Sequence, residues 1–312
     1  MLRMIRDIAV AVAPCLLLAA CGTGIEVTEH VTDKDVQRVL DKGAGHEAVV
    51  TLDAYTDSLA AWEHGKRFWV ADDRVKELLE NTSAYDNDTL HLAGRTLIYQ
   101  GWTASGPFDN RWLYIDFEDS QTGEMYHYRA GKFVEARRPG FTLPMIIDLD
   151  MVDHVSRQLV GKDFYIRTPI WYDRQTEQMK DGRHFIKVHI DNVLPGNAVL
   201  PLRVLFTAAD AGEKAMVWMN NNASTMHGRD FDALFSAADP RQSYPAINDT
   251  NWNLITHGKV VVGMTKDECR LALGDPKSIN ERPDQAGMRE YWYYDGGAYL
   301  YFVDGLLSQF RK

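Results

Sequence analysis

The chain has 312 residues, 45% apolar and 25% charged, with a formal net charge of −10. That length and balance predict a globular body with enough core for two or three domains. The acidic excess argues against nucleic acid, whose affinity comes from neutralising phosphates with Lys and Arg, and against electrostatic adhesion to anionic lipid.

Arg3 and Arg6 precede an apolar run from Ile8 to Ala20, which ends Leu18-Ala19-Ala20 and meets Cys21, then Gly22-Thr23-Gly24. A basic start, a short apolar core and small residues before the cysteine predict a secretory signal over 1–20, too short to span a membrane. Leu18, Ala19, Ala20 and Cys21 together resemble the lipobox of bacterial lipoproteins. That resemblance implies that Cys21 is acylated (palmitate and its like) and becomes the new N-terminus. Three acyl chains hold a protein permanently where one holds it only marginally. With Gly22 in place of an aspartate after the cysteine, the resemblance implies the outer membrane, with the periplasmic or surface face left open. Loss of Arg3, Arg6 and Asp7 with the signal removes a charge of +1, so the mature body stands near −11. Cys15 leaves with the signal and Cys21 is the lipid site, so Cys269 alone remains and no intramolecular disulfide is predicted. Stability must then come from packing, for which eight tryptophans and fourteen tyrosines supply area.

Residues 21–65 read as a tether with N-terminal helices, one over 33–40 and an amphipathic one over 53–63 that aligns Tyr55, Leu59 and Trp62. From Arg67 onward two passages match. Phe68 to Val75 can be laid over Met145 to Val152, and Leu92 to Tyr99 over Leu159 to Ile166, each followed by a tryptophan, Trp102 and Trp171. This predicts a duplicated β-rich module, 66–138 and 139–225. Strands are predicted over 112–117 and 124–129 around Thr122-Gly123, and over 184–190, 199–207 and 215–219 around Pro195-Gly196 and Ala211-Gly212. Residues 226–249 read as a linker, with a short helix near Phe231 to Phe235.

The stretch 250–312 opens with a helix over 251–257 that stops at Gly258. Gly263-Met264-Thr265 then leads into Lys266 to Leu273, followed by Gly274-Asp275-Pro276. Thr265 with Glu268 predicts a capping box, Met264 a staple, Gly274 a left-handed C′ residue and Pro276 a stop. Three strands follow over 290–294, 298–303 and 306–310, turning at Asp295-Gly296-Gly297 and Asp304-Gly305. Gly263, Met264, Thr265, Leu273, Gly274, Pro276, the aromatic run Tyr291 to Tyr294 and Phe302-Val303-Asp304-Gly305 resemble the SmpA/OmlA (BamE-like) domain of outer-membrane lipoproteins. The resemblance covers about a fifth of the chain. It implies two helices on three antiparallel strands and a sheet that binds protein. The predicted fold class is therefore α+β: two small β-rich modules, SH3-like barrels by analogy, then a two-helix, three-stranded BamE-like domain.

Asp148, Asp150, Asp153 and His154 are the densest set of potential metal ligands, but strand alternation would place Asp148 and Asp150 on one solvated face and the EF-hand glycine and glutamate are missing. His184 and His189 are scattered, and no zinc-helix, nucleophile-elbow or phosphate-loop motif occurs. Cys269, on the apolar side of a capped helix, reads as packing. Trp102, Trp112, Trp171 and Tyr172 read as core or as a peptide or glycan groove. Among Tyr291, Trp292, Tyr293 and Tyr294 one alternate pair must face away from the helices, which makes this run the candidate partner surface.

The sequence thus predicts a non-enzymatic lipoprotein, without metal or cofactor, that acts through an envelope protein partner in outer-membrane assembly or scaffolding. The alternative is a lipoprotein whose duplicated modules bind glycan, peptidoglycan or peptide.

Overall fold

The computed structural model describes residues 52–80, 88–107, 110–136, 141–221, 228–284 and 287–311. Signal, lipobox and the helix over 33–40 lie outside the described residues. The described chain is mostly β, with sixteen strands in three antiparallel sheets of five, seven and four strands. This corrects the α+β expectation: the helices are few and short, and Leu149–Leu159 is the longest.

The first sheet is built from β1 (Arg67–Val70), β2 (Thr96–Ser105), β3 (Trp112–Asp119), β4 (Met125–Lys132) and β5 (Ile146–Asp148), in the order β4-β3-β2-β1-β5. The helical turn α1 (Phe133–Ala136) follows β4. Alternation sets the faces: Leu113, Ile115, Phe117 and Asp119 of β3 point inward. Asp119 is buried among apolar side chains yet satisfied, since Arg95 donates to it at 2.6 Å and the Gln121 N–H at 2.8 Å.

The second sheet collects β6 (Asp163–Ile166), β7 (Ile170–Tyr172), β8 (Met179–Asp181), β9 (Ile186–Pro195), β10 (Leu202–Ala208), β11 (Lys214–Met219) and β12 (Phe235–Ser236), in the order β12-β6-β9-β10-β11-β7-β8. Helix α2 (Leu149–Leu159) buries Met151, Val152, Val155 and Leu159 in the same core, the spacing of one helix face. Its N-cap is Asp148, which accepts the Asp150 N–H at 2.9 Å. Residues 149–154 are therefore helical, not strand, and the alternation argued for Asp148 and Asp150 fails there. The stretch read as a linker supplies the turn α3 (Phe231–Leu234) and the edge strand β12, which pairs with β6. Both sheets end on open edges, β4 and β5 in one, β12 and β8 in the other, so neither is an SH3-like barrel.

The two sheets are related through one strand pair. β1 and β5 run antiparallel with Trp69 opposite Ile147 and Val70 opposite Ile146. In the overlay of the two passages, Trp69 corresponds to Ile146 and Val70 to Ile147. Each residue of the pair therefore faces the residue that the overlay matches to its neighbour. The correspondence continues downstream. Gly94 and Gly161 both have positive φ, 85° and 79°, and the pairs Leu92 and Leu159, Leu97 and Phe164, and Tyr99 and Ile166 are all buried.

The amphipathic helix expected over 53–63 is absent apart from one 3₁₀ turn, Leu59–Ala61. The Asp53 N–H bonds to Gln158 Oε1 at 2.8 Å, and its carbonyl accepts from His154 at 3.0 Å, so α2 side chains take backbone groups that a helix would use internally.

The third sheet, β13 (Ser278–Asp284), β14 (Gly287–Tyr293), β15 (Tyr299–Val303) and β16 (Leu306–Arg311), packs on α4 (Asp249–Thr256) and α5 (Lys266–Leu273). It is not the expected compact two-helix, three-stranded BamE-like unit. The extra edge strand β13 carries Pro283, which an edge position tolerates and which hides the strand from sequence reading. The unit also leans on the second sheet: Phe185 packs in its core against Trp252 (5.9 Å), and the His184 N–H bonds to the Thr256 carbonyl at 3.0 Å.

Candidate functional site

Local signals around α5 act as the sequence demands. Thr265 and Glu268 form the reciprocal capping box. Burial pushes the Glu268 carboxyl up, but the Thr265 N–H, Asn251 and the Thr265 hydroxyl outweigh it and hold it below the usual range. Met264 and Cys269 are both buried in one cluster, the staple geometry. Gly274 has φ 81° but ψ −173°, an extended mirror-image conformation open to glycine in place of the expected left-handed helical one. Asp304 and Gly305 carry φ 50° and 82°, the two positive values of a tight hairpin turn. Burial, with the Glu268 charge beside it, pushes the Cys269 thiol up to about 12, so it is packing and not a nucleophile at neutral pH.

Gly263, Met264 and Thr265 tie the start of α5 to the sheet through backbone bonds between Gly263 or Met264 and Leu307 and the Thr265–Leu306 bridge, and the sheet presents the aromatic run. Trp292 is fully buried; its indole N–H donates to Glu290 Oε2 at 3.2 Å, and Arg270 lies 4.7 Å above its ring. Burial raises the Glu290 carboxyl, but the bond from Lys266 at 2.7 Å and that from Trp292 hold it below its ordinary value. Tyr294 turns back to donate to the Gly274 carbonyl at 3.2 Å. Tyr291 and Tyr293 are therefore the outward pair. The adjacent strand adds a second pair, since Tyr291 is opposite Tyr301 and Tyr293 opposite Tyr299. The rings of Tyr291 and Tyr301 stack at 4.6 Å, and Tyr293 is 42% exposed.

The same face is cationic. By register Arg289 lies beside Tyr291 on β14, Arg282 lies opposite Arg289 on β13, and Arg311 lies opposite Tyr299 on β16. Four tyrosines among three arginines, on a chain of net charge −10, form the residue set most enriched at the centre of protein interfaces. Sequence reading found Tyr291 and Tyr293 and missed Tyr299, Tyr301 and the arginines, because only strand register brings them together.

The other candidates disperse. Trp171 is core, with its indole N–H on the Thr168 carbonyl at 3.0 Å, and Tyr172 is half-buried beside Trp218. Trp102 stacks near Phe133 (5.2 Å), and Trp112 lies under Lys132 at 4.0 Å. His184 is buried, whereas His189 is at the surface on Asp163 at 2.8 Å. Asp148 and Asp150 bind no ion-shaped gap but the Lys66 ammonium, at 2.9 and 2.7 Å, and Asp153 meets Arg67 at 3.3 Å. Among the described residues no group of His, Cys, Asp or Glu is placed to hold a metal, and no helix is long and apolar enough to cross a membrane. Comparison with known protein families, characterised proteins and solved structures finds no match for the chain.

Proposed function

We propose that this chain is a lipid-anchored outer-membrane protein that works by docking an acidic protein partner, and not by catalysis, on the outward face of its third sheet. The observation that carries the reading is the cross-strand tyrosine quartet Tyr291, Tyr293, Tyr299 and Tyr301 set among Arg282, Arg289 and Arg311. Tyrosines give large, stiff contact area at low entropic cost. The arginines select an acidic surface and would steer it by long-range attraction. Leu18-Ala19-Ala20-Cys21 supports the tether, which confines the search for a partner to the membrane plane.

A photoreactive benzophenone side chain at Tyr293 or Tyr299 should crosslink one and the same acidic envelope protein in intact cells. The same group at the exposed Val134 on α1 should not. The double reversal Arg282→Glu and Arg311→Glu should abolish the adduct while leaving thermal unfolding unchanged. Equal crosslinking at Val134, or an adduct indifferent to the charge reversal, defeats the reading.

A further inference from the structure

Between the first two sheets lies a cavity of ≈ 320 Å³ that the docking face does not use. Its walls mix aromatic and aliphatic groups (Tyr55, Trp62, Phe68, Phe141 and the segment from Leu143 to Ile147) with the amides of Asn197, Asn220 and Asn221, and Val199 lies on its rim. The charged groups lining it are the carboxylates of Asp57 and Asp148. Behind them sits Lys66, its side chain 6% exposed, within 3.1 Å of Asp57, 2.9 Å of Asp148 and 2.7 Å of Asp150. The Lys66 ammonium also donates to the Tyr55 hydroxyl at 3.0 Å, and that hydroxyl donates on to Asp148 at 2.9 Å.

The chemistry of the site is already shown by the cation the chain keeps there. The Lys66 nitrogen stands 5.7 Å from the ring centres of both Tyr55 and Phe68, the reach of a cation–π contact. Yet one ammonium faces three carboxylates. Burial works against the Lys66 charge, but the bonds to Asp150, Tyr55 and Asp148 overcome it and keep the group protonated. Burial also pushes Asp148 above the usual carboxylate range, because its share of a single ammonium does not offset the loss of water. By formal count the three carboxylates exceed the one Lys66 ammonium they share. A carboxylate pair behind aromatic walls, short of positive charge, is a host for a weakly hydrated cation.

We propose that this cavity binds a small organic ammonium ion, with the charge toward Asp57 and Asp148 and the alkyl groups against Trp62, Phe68 and Phe141. Calorimetric titration of the full-length protein in detergent tests this with choline and its uncharged isostere 3,3-dimethylbutan-1-ol. Choline should bind saturably, and the isostere at least about tenfold more weakly, the factor a desolvated cation–π contact supplies. Asp57→Asn should weaken choline without affecting the isostere. Val199→Trp, made at a lining position that is 60% exposed, should block both ligands in a protein that still melts cooperatively. Equal binding of the two ligands, no binding of choline, or unaltered binding by folded Val199→Trp overturns the proposal. If Asp57→Asn does not fold, the isostere and Val199→Trp still decide it.

Discussion

At the scale of single residues, His184 is the group whose charge the fold most plainly refuses. It is buried at the junction of the second sheet with α4 and stacks edge-on to Phe185 at 4.4 Å. Burial pulls its pKa from 6.5 down to about 4. The native state thus binds the proton less readily than the unfolded chain. The stability it contributes is complete above the unfolded value and is lost as pH falls from 6.5 toward 4, up to about 3 kcal/mol over that window. Urea unfolding at a series of pH values should show this loss, and His184→Gln should flatten it; an unchanged slope in the variant would place the titration elsewhere. The same residue shows why a sequence reads ambiguously here. Alternation sets His184 and His189 on opposite faces of one strand, but β9 begins only at Ile186, and the histidine's burial comes from α4, some seventy residues downstream.

Elements repeat the lesson with a division between local and distant causes. The capping box, the Asp304-Gly305 turn and the alternation of β3 were legible because their determinants lie within four residues of one another. The helix expected at 53–63 failed because its apolar spacing is met differently: Tyr55 reaches Asp148, while Leu59 and Trp62 join the first core. Asp148 to His154 misled for the mirror reason, since an N-cap aspartate before a helix and an alternating strand share the same first residues. The tyrosine quartet was half visible, as two strands had to be brought into register before it existed. One close approach escaped any sequence rule. Gly182 lies against buried Trp171, where a β-carbon would fall only 2.2 Å from two carbons of the indole ring. Gly182→Ala should therefore cost about 1–3 kcal/mol by overpacking, whereas Gly212→Ala, whose added carbon would meet open space, should cost only its positive φ. Parallel melting curves compare the two, and equal shifts would contradict the packing argument.

For the whole molecule, the decisive feature is the β1–β5 strand pair that joins the first sheet to α2 and the second core. Its three matched positions, Phe68 with Asp148, Trp69 with Ile147 and Val70 with Ile146, put the two halves of the chain on one hydrogen-bonded seam. The cavity lies beside that seam, lined by Phe68 on one strand and by Ile146, Ile147 and Asp148 on the other. A seam between two strands distant in sequence need not be closed by its own chain. The front half of one copy can accept the back half of another, and the reverse, with every bond of the seam preserved. Refolding at high concentration should accordingly yield an interlocked dimer that survives dilution on a sizing column and reverts to monomer only after unfolding. Absence of that species at any refolding concentration would show the crossing from β4 to β5 to be too tight for the trade.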